Sequence, residues 1–172
     1  WDFDEEDQKI KAVKLLRDTE PDLLVGSPMC KDFSPWQRLN EAKSAYPEKY
    51  AAAKKSSRNH LEFVCRTYKI QQEGGRLFLH EHPQQASSWD EDCIVEFMKL
   101  PGVEYVDMDQ CQLGQKDSEG NPIKKPWRIA TNVQSMREAF HNHLCCGHVE
   151  HTPCAGVETK RTENYTPTIV DK

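Results

Sequence analysis

The chain has 172 residues, a net charge of −5, and 30% charged, 37% hydrophobic and 9% aromatic residues. That length and polarity allow one domain with a modest core, and no window is apolar enough for a membrane-spanning helix. The acidic balance excludes a surface that is basic all over, so any nucleic-acid contact has to come from a local basic patch.

The chain starts Trp1-Asp2-Phe3-Asp4, with neither an initiator methionine nor a basic-then-apolar signal segment, and reads as a piece of a longer polypeptide. Residues 5–17 place Ile10, Val13 and Leu16 on one helical face, and Pro21 lies just beyond the end. Residues 23–27 form a short apolar run, expected as a buried strand. It leads into Pro28, Met29 and Cys30. Residues 33–46 suit a polar loop or short helix. Residues 47–72 have helical periodicity through Leu61, Val64, Cys65 and Tyr68, and Gly74-Gly75 stops them. Residues 76–80 are the next strand. Ser88 suits the cap of a helix running to Leu100 that buries Ile94, Phe97 and Met98.

Residues 103–108 and 127–131 read as strands of a hairpin with a long loop, because Asp117-Ser118-Glu119-Gly120-Asn121-Pro122 between them is a turn signal. Residues 135–140 form a short helix. Beyond His141 the chain is rich in Cys, His, Thr and Pro, and no regular element is expected. The order strand, helix, strand, helix, hairpin predicts an α/β fold with parallel strands, crossover helices and an antiparallel edge hairpin. It divides into an α/β domain over residues 1–140 and a Cys/His-rich tail over 141–172.

Three features carry chemistry. Cys30 follows a strand and a proline, so its thiol is presented at the carboxyl edge of the sheet, where open α/β folds hold their sites. Lys31 beside it supplies a cation that lowers a thiol pKa. Glu81 follows Leu77-Phe78-Leu79-His80, a position where a carboxylate is partly buried and can donate a proton near neutrality. In a strand, His80 and His82 face away from Glu81, which argues against a metal site built from that triplet. Lys124-Lys125-Pro126-Trp127-Arg128, with Thr131-Asn132 after it, suits contacts with phosphate and a base edge.

Gly26-Ser27-Pro28-Met29-Cys30-Lys31-Asp32-Phe33-Ser34 resembles the Gly-Pro-Pro-Cys-x-x-Phe-Ser signature of DNA cytosine-5 methyltransferases. Glu81-His82-Pro83 is similar to their Glu-Asn-Val segment. Residues 106–114 and 125–132 resemble the hairpin of divergent phage-type and mobile-element-type members, with a Cys-x-x-Gly turn before a Lys-Pro-Thr-Arg-like strand ending in Thr-Asn. Met29 replaces the second proline, His82 replaces asparagine, and the Gln-x-Arg-x-Arg strand is reduced to Lys124-x-Pro126-x-Arg128.

The resemblance implies a partial Rossmann-like methyltransferase sheet acting on DNA. A cytosine is flipped into a pocket. Cys30 attacks C6 as a thiolate and Glu81 bonds the N3 edge. C5 then takes a methyl group from S-adenosylmethionine, and loss of the C5 proton releases the enzyme. Ser27, Pro28 and Lys125 are implied as substrate contacts, and Arg128 as the residue that touches the base and positions the acid. The family's Phe-x-Gly-x-Gly cofactor loop and its target-recognition segment do not occur in this sequence. The cofactor half is therefore expected from an upstream part of the same polypeptide.

Two other functions fit the same residues. One is a non-catalytic nucleic-acid-binding or scaffold domain of a mobile-element polyprotein. The other is a cysteine-dependent hydrolase pairing Cys30 with one of seven histidines. Seven cysteines, odd in number and unevenly spaced, suit reduced intracellular thiols better than a disulfide framework. In the tail, Cys146, His148, His151 and Cys154 form a candidate zinc set, with Cys145 as an alternative to Cys146.

Overall fold

The computed structural model describes residues 1–147 and 150–171, the side chain of Arg38 excepted. It is a mixed α/β structure built on a four-stranded sheet with helices around it. Helix α1 (Glu6–Thr19) leads to strand β1 (Leu23–Gly26). Helices α2 (Pro35–Lys43) and α3 (Pro47–Glu73) follow, then β2 (Leu77–Pro83) and the short α4 (Asp92–Phe97). Strands β3 (Glu104–Asp109) and β4 (Pro126–Thr131) precede α5 (Gln134–Phe140), α6 (Val157–Arg161) and α7 (Pro167–Val170). Among the described residues, no helix is long and apolar enough to cross a membrane.

The sheet order is β1-β2-β4-β3. Strand β1 pairs parallel with β2, as expected for two strands joined through a helical crossover, whereas β4 runs antiparallel to both β2 and β3. The expected hairpin is therefore present, but its second strand is inserted inside the sheet and β3 forms the edge. Thr131 and Asn132, at the end of the second strand, secure this insertion. The Thr131 hydroxyl donates to the Phe78 carbonyl. The Asn132 side chain accepts from Phe78 N–H (3.1 Å) and donates to Gln72 Oε1 (2.9 Å) and the Arg76 carbonyl (3.0 Å).

Strand alternation sorts the side chains onto two faces. One face carries Phe78, His80, His82 and Ala130. Phe33 and the helical residues Leu61, Cys65, Tyr68, Ile94 and Phe97 complete the core on this side. The rings of Tyr68, Phe78 and Phe97 lie with centroids 5.1–5.2 Å apart, at the spacing of favourable aromatic pairs. The other face carries Leu79, Glu81, Trp127, Ile129, Val106 and Met108, covered by Leu113, Phe140 and Ile169.

Three expectations need correction. Ile10 does not join Val13 and Leu16 in the core but is 61% exposed, because α1 buries only the stripe that carries Val13 and Leu16. The helix expected from Ser88 to Leu100 is a 3-10 turn (Ser87–Asp90) followed by the short α4. The tail, where no regular element is expected, forms α6 and α7. Ile169 enters the second core, and Thr166 and Thr152 bond to Leu113 and Pro122 of the β3–β4 connection.

Gly26 ends β1 beneath Tyr68. A Cβ there would lie 1.9 Å from the Tyr68 hydroxyl, so only glycine lets the ring close over the strand end. Gly26→Ala is expected to destabilise the protein by about 1–3 kcal/mol through overpacking. Tyr68→Phe in the same chain should recover part of that loss. Urea unfolding of both single variants and the double variant measures the coupling, and additive effects would remove the contact.

Candidate active site

The parallel register Val25↔Leu79 and Gly26↔His80 brings the residues after β1 beside the end of β2. Ser27 is the first residue beyond β1, and its hydroxyl donates to Glu81 Oε2 at 2.5 Å. Glu81 is buried, and burial raises its carboxyl pKa against the opposing pull of the Ser27 bond and the Lys125 charge. Cys30 follows in a helical turn that starts the 3-10 segment Lys31–Phe33. Its thiol pKa is raised chiefly by burial, and the field of Lys125 lowers it while those of Glu81 and Glu163 raise it further. Ser27 and Glu81 are thus in direct contact, Pro28 is held by His82 next to them, and Cys30 lies within the electrostatic fields of Glu81 and Lys125. The cation that acts on Cys30 is Lys125, across the site, rather than the neighbouring Lys31.

His82 holds this loop in place. The Pro28 carbonyl can only accept, so His82 Nε2–H donates to it (2.9 Å). The other ring nitrogen, Nδ1, accepts from the Ser88 hydroxyl (2.6 Å). One neutral tautomer satisfies both bonds, and burial drives the pKa of His82 down to about 4. His80 lies on the same face with Nδ1 bonded to the Tyr68 hydroxyl (3.0 Å), and burial holds it neutral too.

Arg128 does not join the site. It pairs in register with His82, so it shares the His82 face, while Glu81 is opposite Ile129 and points the other way. On its own face Arg128 grips Asp107 with two bonds (2.6 and 2.8 Å) and lies over the Tyr105 ring at 4.0 Å. Burial raises the pKa of Asp107, but the bonds from Arg128 and Gln84 outweigh this and hold it low. The partner that positions Glu81 is Ser27. All three cations of the 124–128 stretch have internal partners. Lys124 lies 3.7 Å from Asp109, Lys125 donates to the Thr162 carbonyl (3.1 Å), and Arg128 holds Asp107.

Two residues at the site come from the tail and have no signal in any local motif. Tyr165 packs against Trp127 with the rings tilted and their centroids 5.5 Å apart, and its hydroxyl approaches Ser27 and Glu81. Glu163 lies within the field of Cys30. A separate apolar hollow of about 350 Å³ opens beside Gly26, Ser27 and Pro28, lined also by Phe3, Leu16 and Tyr68, and it contains neither Cys30 nor Glu81.

The zinc set expected in the tail is arranged differently. Cys145, His151 and Cys111 have their ligand atoms within 4.8 Å of one another, and Cys111 comes from the turn after β3. Cys146 and Cys154 are outside this group, with the Cys154 thiol against the Thr162 hydroxyl (3.4 Å), and His148 lies outside the described residues.

Comparison of the chain with protein-family models, with curated protein sequences and with solved structures gave no match.

The buried histidine sets a pH dependence. Between about pH 4 and 6.5 the unfolded chain protonates His82 and the folded chain does not, so the unfolded state binds more protons and stability rises with pH. His82 alone should remove about 2 kcal/mol of stability on going from pH 7 to pH 5. Glu81, whose pKa is raised, contributes the opposite slope just above its ordinary value. Comparing His82→Asn with the parent by urea unfolding at both pH values isolates the histidine. An equal pH effect in the two proteins would contradict the neutral latch.

Proposed function

We propose that this chain is the catalytic half of a DNA cytosine-5 methyltransferase-like domain. The observation that carries the reading is the convergence of Cys30, the Ser27–Glu81 pair and Lys125 at the carboxyl ends of two adjacent parallel strands. Attack at C6 of cytosine needs a sulfur nucleophile and, on the same edge of the ring, a group that neutralises charge developing at N3. A buried carboxyl with a raised pKa is suited to give N3 a proton and to take it back. Lys125 opposes the desolvation that holds the thiol protonated.

The sheet supports the same reading at the level of fold. A parallel pair joined by a helical crossover is the βαβ unit from which Rossmann-like sheets are built, and in such sheets the site lies outside the carboxyl ends of the strands. The outer edge of β1 has no strand neighbour among the described residues, and Val25 on it is 53% exposed. A glycine-rich strand and loop that holds S-adenosylmethionine, the methyl donor, would pair there.

A cysteine hydrolase is disfavoured. It needs a histidine to take the thiol proton, and among the described residues no histidine bonds Cys30, while both nitrogens of His82 are engaged. The non-catalytic reading draws on one observation: burial raises the pKa of the Cys30 thiol, and the fields of Glu81 and Glu163 add to it.

Reversible thiol addition exchanges the C5 hydrogen of cytosine for solvent, and it needs no methyl donor. Tritium release from DNA labelled at C5 therefore tests this chain directly, and 5-fluorocytosine DNA with S-adenosylmethionine tests the protein that includes its cofactor segment. Cys30→Ser should abolish both signals, because a hydroxyl is a far poorer nucleophile than a thiolate. Glu81→Gln should slow exchange by roughly two to four orders of magnitude. A protein that binds DNA yet gives neither exchange nor a Cys30 adduct would favour the non-catalytic reading.

A further inference from the structure

We infer that Cys111, Cys145 and His151 supply three ligands of a tetrahedral zinc site that fastens the tail to the β3–β4 hairpin, with the fourth position open to water. This inference does not depend on the methyltransferase reading. The Cys145 sulfur and His151 Nε2 are 3.4 Å apart, and the Cys111 sulfur lies within 4.8 Å of both. Tetrahedral zinc with ordinary zinc–sulfur and zinc–nitrogen bonds requires a sulfur-to-nitrogen separation of about 3.5 Å and a sulfur-to-sulfur separation of about 3.8 Å. Two thiols and an imidazole select zinc over hard cations such as calcium or magnesium, which take oxygen ligands. None of the cysteines is in a disulfide, so both thiols are available.

Each ligand is held in place by contacts of its own. Cys111 belongs to the 3-10 turn Gln110–Leu113, which is tied to the hairpin by Gln110 N–H donating to the Lys125 carbonyl (3.1 Å). Cys145 is fixed by its own N–H donating to buried Asp109 (2.8 Å), and its sulfur accepts the Gly147 N–H at 3.3 Å. His151 is carried by Thr152, whose N–H bonds the Pro122 carbonyl (3.0 Å) and whose hydroxyl bonds Asp117 (2.6 Å). A site pre-organised by three independent anchors on one hairpin loses little entropy when it closes on an ion.

The site also has a structural purpose. Among the described residues, those between α5 and α6 form no helix and no strand beyond one isolated bridge at Thr152. Past α6 the same tail delivers the Thr162 carbonyl to Lys125 and Tyr165 to Trp127 and Ser27. Zinc would supply the cross-link that this polar segment lacks and so hold Tyr165 over the Ser27–Glu81 pair.

The test begins with element analysis of the purified full chain, expected to give one zinc per chain. Stripping with a chelator and titrating with cobalt(II) should then produce sulfur-to-cobalt charge-transfer absorption saturating at one equivalent. Cys111→Ser, Cys145→Ser and His151→Ala should each weaken binding by more than the roughly 10–100-fold that loss of an outer-shell partner costs. Cys154→Ser should leave it unchanged. Cys111→His retains a ligand where Cys111→Ser does not, so it guards against misfolding. It should bind cobalt with the charge-transfer intensity reduced by about half, as one of two thiolates is replaced. Absence of stoichiometric metal, a Cys111–Cys145 disulfide in the purified protein, or absorption that survives Cys111→Ser and disappears with Cys154→Ser would each overturn the assignment.

Discussion

The geometry of the candidate site rests on one buried hydrogen-bond pair, that of His82 with Pro28 and Ser88. The loop after β1 leaves the sheet at a proline and has no strand partner of its own there. What fixes it is an imidazole that donates on one side and accepts on the other, and only a neutral ring can do both. Burial keeps it neutral, and the fixed carbonyl of Pro28 sets where the chain runs on to Cys30 two residues later. The adjacent Ser27–Glu81 bond completes a clamp on both sides of Pro28. Net gains from single hydrogen bonds are small, but an imidazole left unpaired in this core would cost about 1–3 kcal/mol, so the penalty for breaking the latch exceeds the gain from making it.

Strand β2 shows how one short segment serves core and chemistry together. Its alternation sends His80 and His82 to the face packed by α3 and α4, and Glu81 to the face covered by the tail. That much was legible in the sequence, because period-two alternation holds whatever the strand pairs with. The parallel pairing of β1 with β2 and the long α3 ended by two glycines were legible in the same way. Each follows from a local pattern and a short list of permitted connections.

Arg128 was misread because its direction depends on which residue of β2 it is paired with, and pairing register is not written in either strand alone. A shift of one residue would have turned it toward Glu81. Lys125 was named as a substrate contact, but its action on Cys30 could not be foreseen. Tyr165 and Glu163 were invisible for a further reason. They reach the site through a tail with almost no periodic hydrophobic pattern, docked by scattered polar bonds and a single isoleucine, Ile169. The metal trio shows the same limit. Spacing within the tail suggested a set drawn from the tail alone, whereas folding recruits Cys111, 34 positions before Cys145.

The insertion of β4 between β2 and β3 has a consequence for how sequences of this kind can vary. β4 is flanked on both sides, and its end is fastened to the start of β2 through Asn132. Insertions or deletions within 126–132 would therefore displace two ladders at once. In the exposed turn at 117–120, the Asp117 side chain accepts from the backbone of Glu119 and Asn121, so that turn carries its own bonds. Length variation among descendants of this chain should collect at that turn and be purged from the strand beside it, leaving a lineage whose hairpins differ in reach but share one spine.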